Sequence, residues 1–236
     1  GLFVMSQDSQ PSTTAVASSG DAATIEPIPL WGSELFIATL AEHSLIASHL
    51  ISHIYRHHAQ HKTAVASEVA VGAKQHLFES ELDFLDSDDL DVQVLNQALS
   101  SLVLDIAAYV NEGHWPEDAS AEATITESWY HLTQTGGYHD AHSHPNCSWC
   151  GIYYLDAGDT DFDRRSGVNR FYDPRVNADH FLDAGSLYLN GQGIYDIQPV
   201  AGQVVIFPSY LKHSALPYFG SKDRIVVAFN ARVDFV

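Results

Sequence analysis

The sequence predicts an α+β, mainly β fold, in which a helical N-terminal layer packs on a C-terminal sandwich or jelly roll. Two segments before residue 112 repeat apolar residues at three- and four-residue steps, the spacing of a half-buried helix. Beyond about residue 123, short aromatic and β-branched runs take over, separated at brief intervals by Gly, Pro, Asp and Asn. Many short strands with turn residues between them suit a sandwich or jelly roll. At 236 residues the chain can build one sizeable core with an added helical layer.

Residues 1–25 are rich in Ser, Thr and Ala without periodicity and read as a mobile leader. Residues 26–236 then form one domain, with a helical layer over 26–122 and a jelly-roll core over 123–236. From Pro27 to about Leu40 the chain looks extended. Residues 42–60 turn helical, with Leu45, Ile46, Leu50 and Ile54 as the apolar stripe. A second helix begins at a cap on Ser87 or Asp88, buries Leu95, Leu99, Leu102, Ile106 and Tyr109 or Val110, and ends at Gly113–Pro116. The strands expected after it are TESWYHLTQ, SWCGIYYLD, NRFYDP, SLYLN, YDIQPV, QVVIFP and RIVVAFNARV.

Lys plus Arg number 11 against 30 Asp plus Glu, a formal charge of −19. Such a surface repels phosphate backbones, so nucleic-acid binding through a general basic face is not expected. No apolar run approaches the roughly 18–20 residues of a membrane span. Two cysteines, Cys147 and Cys150, are too few for a disulfide scaffold, and a reducing, cytoplasmic setting is expected. Their odd spacing, running into a strand, is expected to send the thiols to opposite faces.

Of 14 histidines, most cannot be ligands. His49, His53, His57 and His61 recur every four residues on the first helix; with no carboxylate or cysteine cluster beside them in sequence, they read as a wet helix flank. His142 and His144 differ. Two residues apart on an extended chain, their imidazoles emerge on one face and can take adjacent positions around a divalent ion. A third ligand must come from elsewhere, and His213, after the apolar strand QVVIF, has the right character. Arg224 opens an apolar strand, and a buried guanidinium needs an anion. A chain acid could supply it, but so could a small dicarboxylate gripped by the planar fork, which we favour. Tyr154, ten residues beyond His144, could reach a bound acid with its hydroxyl, whereas Tyr153 points the other way as a core aromatic.

The motifs GGYHDAHSHPNCSWCGIYYLD, FYDPR, IQPVAGQVVIFPSYLKHSALP and RIVVAFN resemble the 2-oxoglutarate/Fe(II)-dependent oxygenases, and more narrowly a little-characterised bacterial and phage subgroup. The likeness covers about residues 126–234 well and 27–112 loosely. It implies a double-stranded β-helix, the cupin-like form of jelly roll. It also implies Fe(II) on His142, His144 and His213, and 2-oxoglutarate held by Arg224 with Tyr154, which matches the second tyrosine of the prolyl hydroxylase strand. One departure stands out: the superfamily places Asp or Glu where this chain has His144, and Asp140 is displaced from the required spacing. The activity so implied is hydroxylation of an unidentified substrate with O2, releasing succinate and CO2. Two other readings stay open: a three-histidine cupin-type dioxygenase that uses no keto acid, and a non-catalytic metal-binding β-barrel. Oligomeric state is open too, a homodimer included.

Overall fold

A computed structural model describes residues 32–61, 74–175, 183–186 and 193–236. The expected leader, Pro27–Trp31 and most of the SLYLN run lie outside the described residues. Helix α1 spans His43–His61 and buries Ile46, Leu50 and Ile54. Leu45, placed by sequence in the stripe, is 81% exposed. Helix α2 spans Leu90–Val110 and starts one residue later than expected: the cap is Asp89, which accepts from the amides of Asp91 and Val92. Its buried stripe is Val92, Leu95, Leu99, Val103 and Ala107, with Leu102, Ile106 and Val110 at its margin and Tyr109 exposed.

Nine strands are described: β1 Phe36–Thr39, β2 Lys74–Glu79, β3 Ala121–His142, β4 Trp149–Asp156, β5 Asn169–Tyr172, β6 Ile194–Ile197, β7 Gln203–Pro208, β8 His213–Ala215 and β9 Arg224–Phe235. They run in the order β1-β7-β4-β9-β3-β8-β5-β6, with β2 added alongside β3. The pivot is β3. Its first half pairs antiparallel with β9, from Ala121 opposite Phe235 to Thr133 opposite Arg224, and its last residues pair with β8 instead. By changing partner along its length, β3 joins the two halves of a single nine-stranded sheet, which curls into the jelly roll. Gly136, at φ +85°, lies in the irregular stretch where that change is made.

Strand alternation gives two cores. One face of β4, β7 and β9 (Tyr153, Leu155, Val204, Ile206, Val227, Phe229) packs under α1 and α2. The other (Cys150, Ile152, Tyr154, Val205, Phe207, Val226) faces into the roll. Helical and β residues share the first core. Segment 26–122 is less purely helical than expected, because β1 pairs with β7 and β2 with β3. Histidines of α1 act as ties to what lies beneath: His43 Nδ1 is 2.6 Å from the Tyr153 hydroxyl and His57 Nδ1 is 2.9 Å from that of Tyr130.

Candidate metal centre

The three histidines singled out by sequence meet at the mouth of the roll. His142, last residue of β3, lies directly opposite His213, first residue of β8. His144 follows two residues on, its amide donating to the Ser209 carbonyl at 3.2 Å and its ring stacked on Trp129. One ligand-capable atom from each of the three lies within 4.8 Å of the others. The ring nitrogens are also presented correctly. His142 Nδ1 is 2.7 Å from the Asp140 carbonyl, and His213 Nδ1 is 3.0 Å from that of Leu211. A carbonyl only accepts, so each Nδ1 carries the proton and each Nε2 keeps its lone pair for an ion.

Burial also keeps these rings neutral. It is the main cause lowering all three, with neighbouring imidazoles adding to it: His213 to about 3, His144 to about 4, and His142 below its usual value although its bond to the Asp140 carbonyl opposes the shift. Neutral imidazole is the form that binds metal. Asp140, the acid nearest in sequence, is exposed and contributes its carbonyl rather than its carboxylate.

A cleft runs inward from this trio to Arg224, and both ends line it, together with His131, His139, Asn169 and Ile152. Among the described residues no Asp or Glu lines it, in a chain that holds 30. Arg224 is 2% exposed, and no carboxylate pairs with it among the described residues. Its Nη2 donates to Asn169 Oδ1 at 2.7 Å, its carbon Cζ sits 5.6 Å over the Tyr154 ring, and its Nε has no hydrogen-bond partner. Tyr154, fully buried, donates its hydroxyl to the same Asn169 oxygen at 3.0 Å. Asn169 was not legible in sequence as a site residue; only its place at the start of the NRFY strand hinted at an inward position. Tyr153 faces the helices, as expected.

His139 and His131 join the lining on the β3 side. His139 stacks on His142 at 4.0 Å, and His131 sits 2.7 Å from Glu79 Oε2, with Lys74 also bonded to Glu79 at 2.5 Å. The thiols of Cys147 and Cys150 correct the expectation of opposite faces. Alternation applies only within a strand; Cys147 precedes β4, and the two sulfurs meet at 3.5 Å. A second His/Asp grouping joins α1 to the start of α2: His49 Nε2 is hydrogen-bonded to Asp89 Oδ2 at 2.8 Å and His53 Nδ1 lies 3.3 Å from the same oxygen, while Asp89 Oδ1 caps α2.

Residues 127–230 match the family described as "Putative 2OG-Fe(II) oxygenase". No curated protein matches the chain by sequence. Among solved structures, a Pseudomonas putida prolyl-4-hydroxylase superposes with a TM-score of 0.53 at 16% identity, covering 84% of this chain and 92% of that one. A Trichoplax adhaerens prolyl hydroxylase, solved with a hypoxia inducible factor peptide fragment, gives 0.51 at 14%, covering 83% of each chain. HygX from Streptomyces hygroscopicus, solved with nickel and 2-oxoglutarate bound, gives 0.52 at 11%, covering 85% of this chain and 83% of that one. These likenesses fix the fold as the jelly roll of such enzymes. No helix among the described residues is long and apolar enough to cross a membrane. Over its β-core, residues 127–230, the chain is thus similar to the 2-oxoglutarate/Fe(II)-dependent oxygenases, a family of oxidoreductases, and the chain as a whole shares the fold of such enzymes.

Proposed function

We propose that the chain is a dioxygenase hydroxylating a C–H bond of a substrate still to be identified, with 2-oxoglutarate and O2 as co-substrates and succinate and CO2 as co-products. His142, His144 and His213 hold Fe(II). Arg224, assisted by Tyr154, holds the distal carboxylate of 2-oxoglutarate. The observation that carries this reading is the unpaired guanidinium. A charge buried to 2% exposure without an acid costs several kcal/mol unless a ligand supplies the anion. The three-histidine alternative without a keto acid leaves that cost unexplained.

When bound, iron and keto acid together supply the oxidising chemistry, so no side chain need act as nucleophile or acid. The protein's part is geometric. The carbonyls of Asp140 and Leu211 orient two imidazoles, the open cleft leaves positions beside the three ligands, and the apolar walls (Ile152, Phe207, Val226) exclude water. The shared helix–sheet core supports treating residues 26–236 as one oxygenase domain. A cytoplasmic setting belongs to the same proposal, on the cysteine usage.

The test supplies Fe(II), O2 and 2-oxoglutarate to the purified chain and measures succinate release, alongside metal content. Wild type should release succinate above the protein-free rate. His213→Ala should lose both succinate release and stoichiometric iron, since a third of the ligand set is gone. Full iron occupancy in His213→Ala would remove His213 from the set, and no succinate from iron-loaded wild type would favour the keto-acid-free alternative.

A further inference from the structure

Among the described residues, Oγ1 of Thr133 is, like Arg224 Nε at the cleft's inner end, a buried polar atom with no hydrogen-bond partner. The two residues stand directly opposite each other on the β3–β9 ladder. Residues so paired project from the same face with Cβ atoms about 5 Å apart. That face is the inner one: Trp129 and His131 on β3, and Val226 and Ala228 on β9, share the alternation of Thr133 and Arg224 and line the cleft. Thr133 is 3% exposed and Arg224 2%, so water does not readily replace the missing partners. Both unmatched groups can donate, and a carboxylate has two oxygens to accept.

Behind them stands Asn169, itself 4% exposed, whose Oδ1 accepts from both Arg224 Nη2 and Tyr154. An aspartate of the same shape would complete an ion pair with the guanidinium and satisfy it internally. The amide orients the fork but leaves its charge unspent.

We propose that Thr133 and Arg224 together receive the distal carboxylate of 2-oxoglutarate, the Thr133 hydroxyl and the Arg224 Nε–H each donating to it, and that Asn169 is a positioning residue that aims the guanidinium while staying uncharged. This rests on the 2-oxoglutarate reading above. It makes Thr133 a binding residue and gives Tyr154 its part through Asn169.

Two variants of the full chain, loaded with Mn(II) and titrated calorimetrically without O2, test it. Thr133→Val keeps the branched shape and removes only the hydroxyl. Because that hydroxyl bonds to nothing in the ligand-free chain, thermal stability should hold or rise, while 2-oxoglutarate affinity falls about tenfold to a hundredfold. Asn169→Asp should also hold or raise stability, yet weaken 2-oxoglutarate more than a hundredfold, since the new carboxylate occupies the guanidinium. A five-carbon 2-oxo acid lacking the distal carboxylate should bind wild type and Thr133→Val alike. Wild-type affinity in Thr133→Val, or lowered stability with affinity intact, overturns the assignment of Thr133; wild-type affinity in Asn169→Asp overturns that of Asn169. If wild type itself binds no 2-oxoglutarate, the parent reading fails first.

Discussion

Replacing Arg224 with Met should move binding and stability in opposite directions. Met keeps most of the side-chain volume and fills irregular space without a charge. A carboxylate held by two charge-assisted hydrogen bonds gains about 1.5–3 kcal/mol from each, so their loss costs about 3–6 kcal/mol, or roughly a hundredfold to ten-thousandfold in Kd. In the ligand-free chain the guanidinium gives up one bond to Asn169 and its contact over Tyr154, together about 2 kcal/mol. Against that stands the desolvation of a cation that is 2% exposed and has no acid among the described residues, a penalty of several kcal/mol. The balance predicts an unchanged or raised melting temperature, at about 2–4 °C per kcal/mol for a chain of this size. Calorimetric titration of 2-oxoglutarate into the Mn(II)-loaded variant, with thermal unfolding of the metal-free chain, reads both quantities. A Kd within threefold of wild type would refute the reasoning. So would a melting temperature lowered by several degrees with binding retained, which would make Arg224 a structural cation.

Asp89→Ala removes the cap of α2 and the oxygen on which His49 converges, so it should cost about 1–2 kcal/mol and lower the melting temperature by a few degrees; metal and keto-acid affinities should not move. A further expectation concerns acid. Burial raises Glu79, but its bonds to His131 and Lys74 outweigh that and hold it down to about 2, while burial foremost lowers His131. A carboxyl lowered in the folded state contributes stability that is present above its unfolded value of 4.5 and is lost as pH falls toward 2; a lowered histidine lets only the unfolded chain take a proton below 6.5. The melting temperature of the metal-free chain should therefore be flat above neutrality and fall on the acid side, and Glu79→Gln should make the limb below 4.5 shallower, with Asp89 and Asp173 still contributing to it, while keeping a fall that begins near 6.5.

What sequence made legible was periodic or motif-bound. The apolar steps of α1 located Ile46, Leu50 and Ile54, and the aromatic runs located β4, β7 and β9. Phase was less secure: on α2 packing against the sheet buries Val103 and Ala107 rather than centring on Leu102 and Ile106, and Asp89 takes the capping role from its neighbours Ser87 and Asp88. The three-residue strand β8 was missed, for it has too few positions to show alternation and owes its form to pairing with β3 and β5. The length of β3 was missed for a related reason. Its irregular middle breaks the period of two, and only the tertiary fold shows that one strand pairs with both β9 and β8. At the site, His142, His144, His213 and Arg224 could be chosen because their types are rare in apolar settings. Asn169 and Thr133 could not, since their significance is relational: one is bonded to a cation, and the other faces it unbonded across a ladder.

The replacement of an acid by His144 has a consequence for how the cofactors bind together. With the proposed ligand set, three neutral imidazoles leave a divalent ion its full charge, and Arg224 adds another positive charge in a cleft lined by no carboxylate among the described residues. A ligand set with one carboxylate would have cancelled part of it. On the proposed assignment the compensating charge comes from the 2-oxoglutarate dianion, one end at the metal and the other at Arg224. Metal and keto acid should therefore bind cooperatively, each tightening the other by about five- to 150-fold, and by linkage the factor must be the same in both directions. Measuring the Mn(II) Kd with and without saturating 2-oxoglutarate gives it directly. His144→Asp, which restores an anionic ligand, should tighten the metal alone and shrink the factor. A metal affinity indifferent to 2-oxoglutarate in wild type would show that the two centres do not share one ligand.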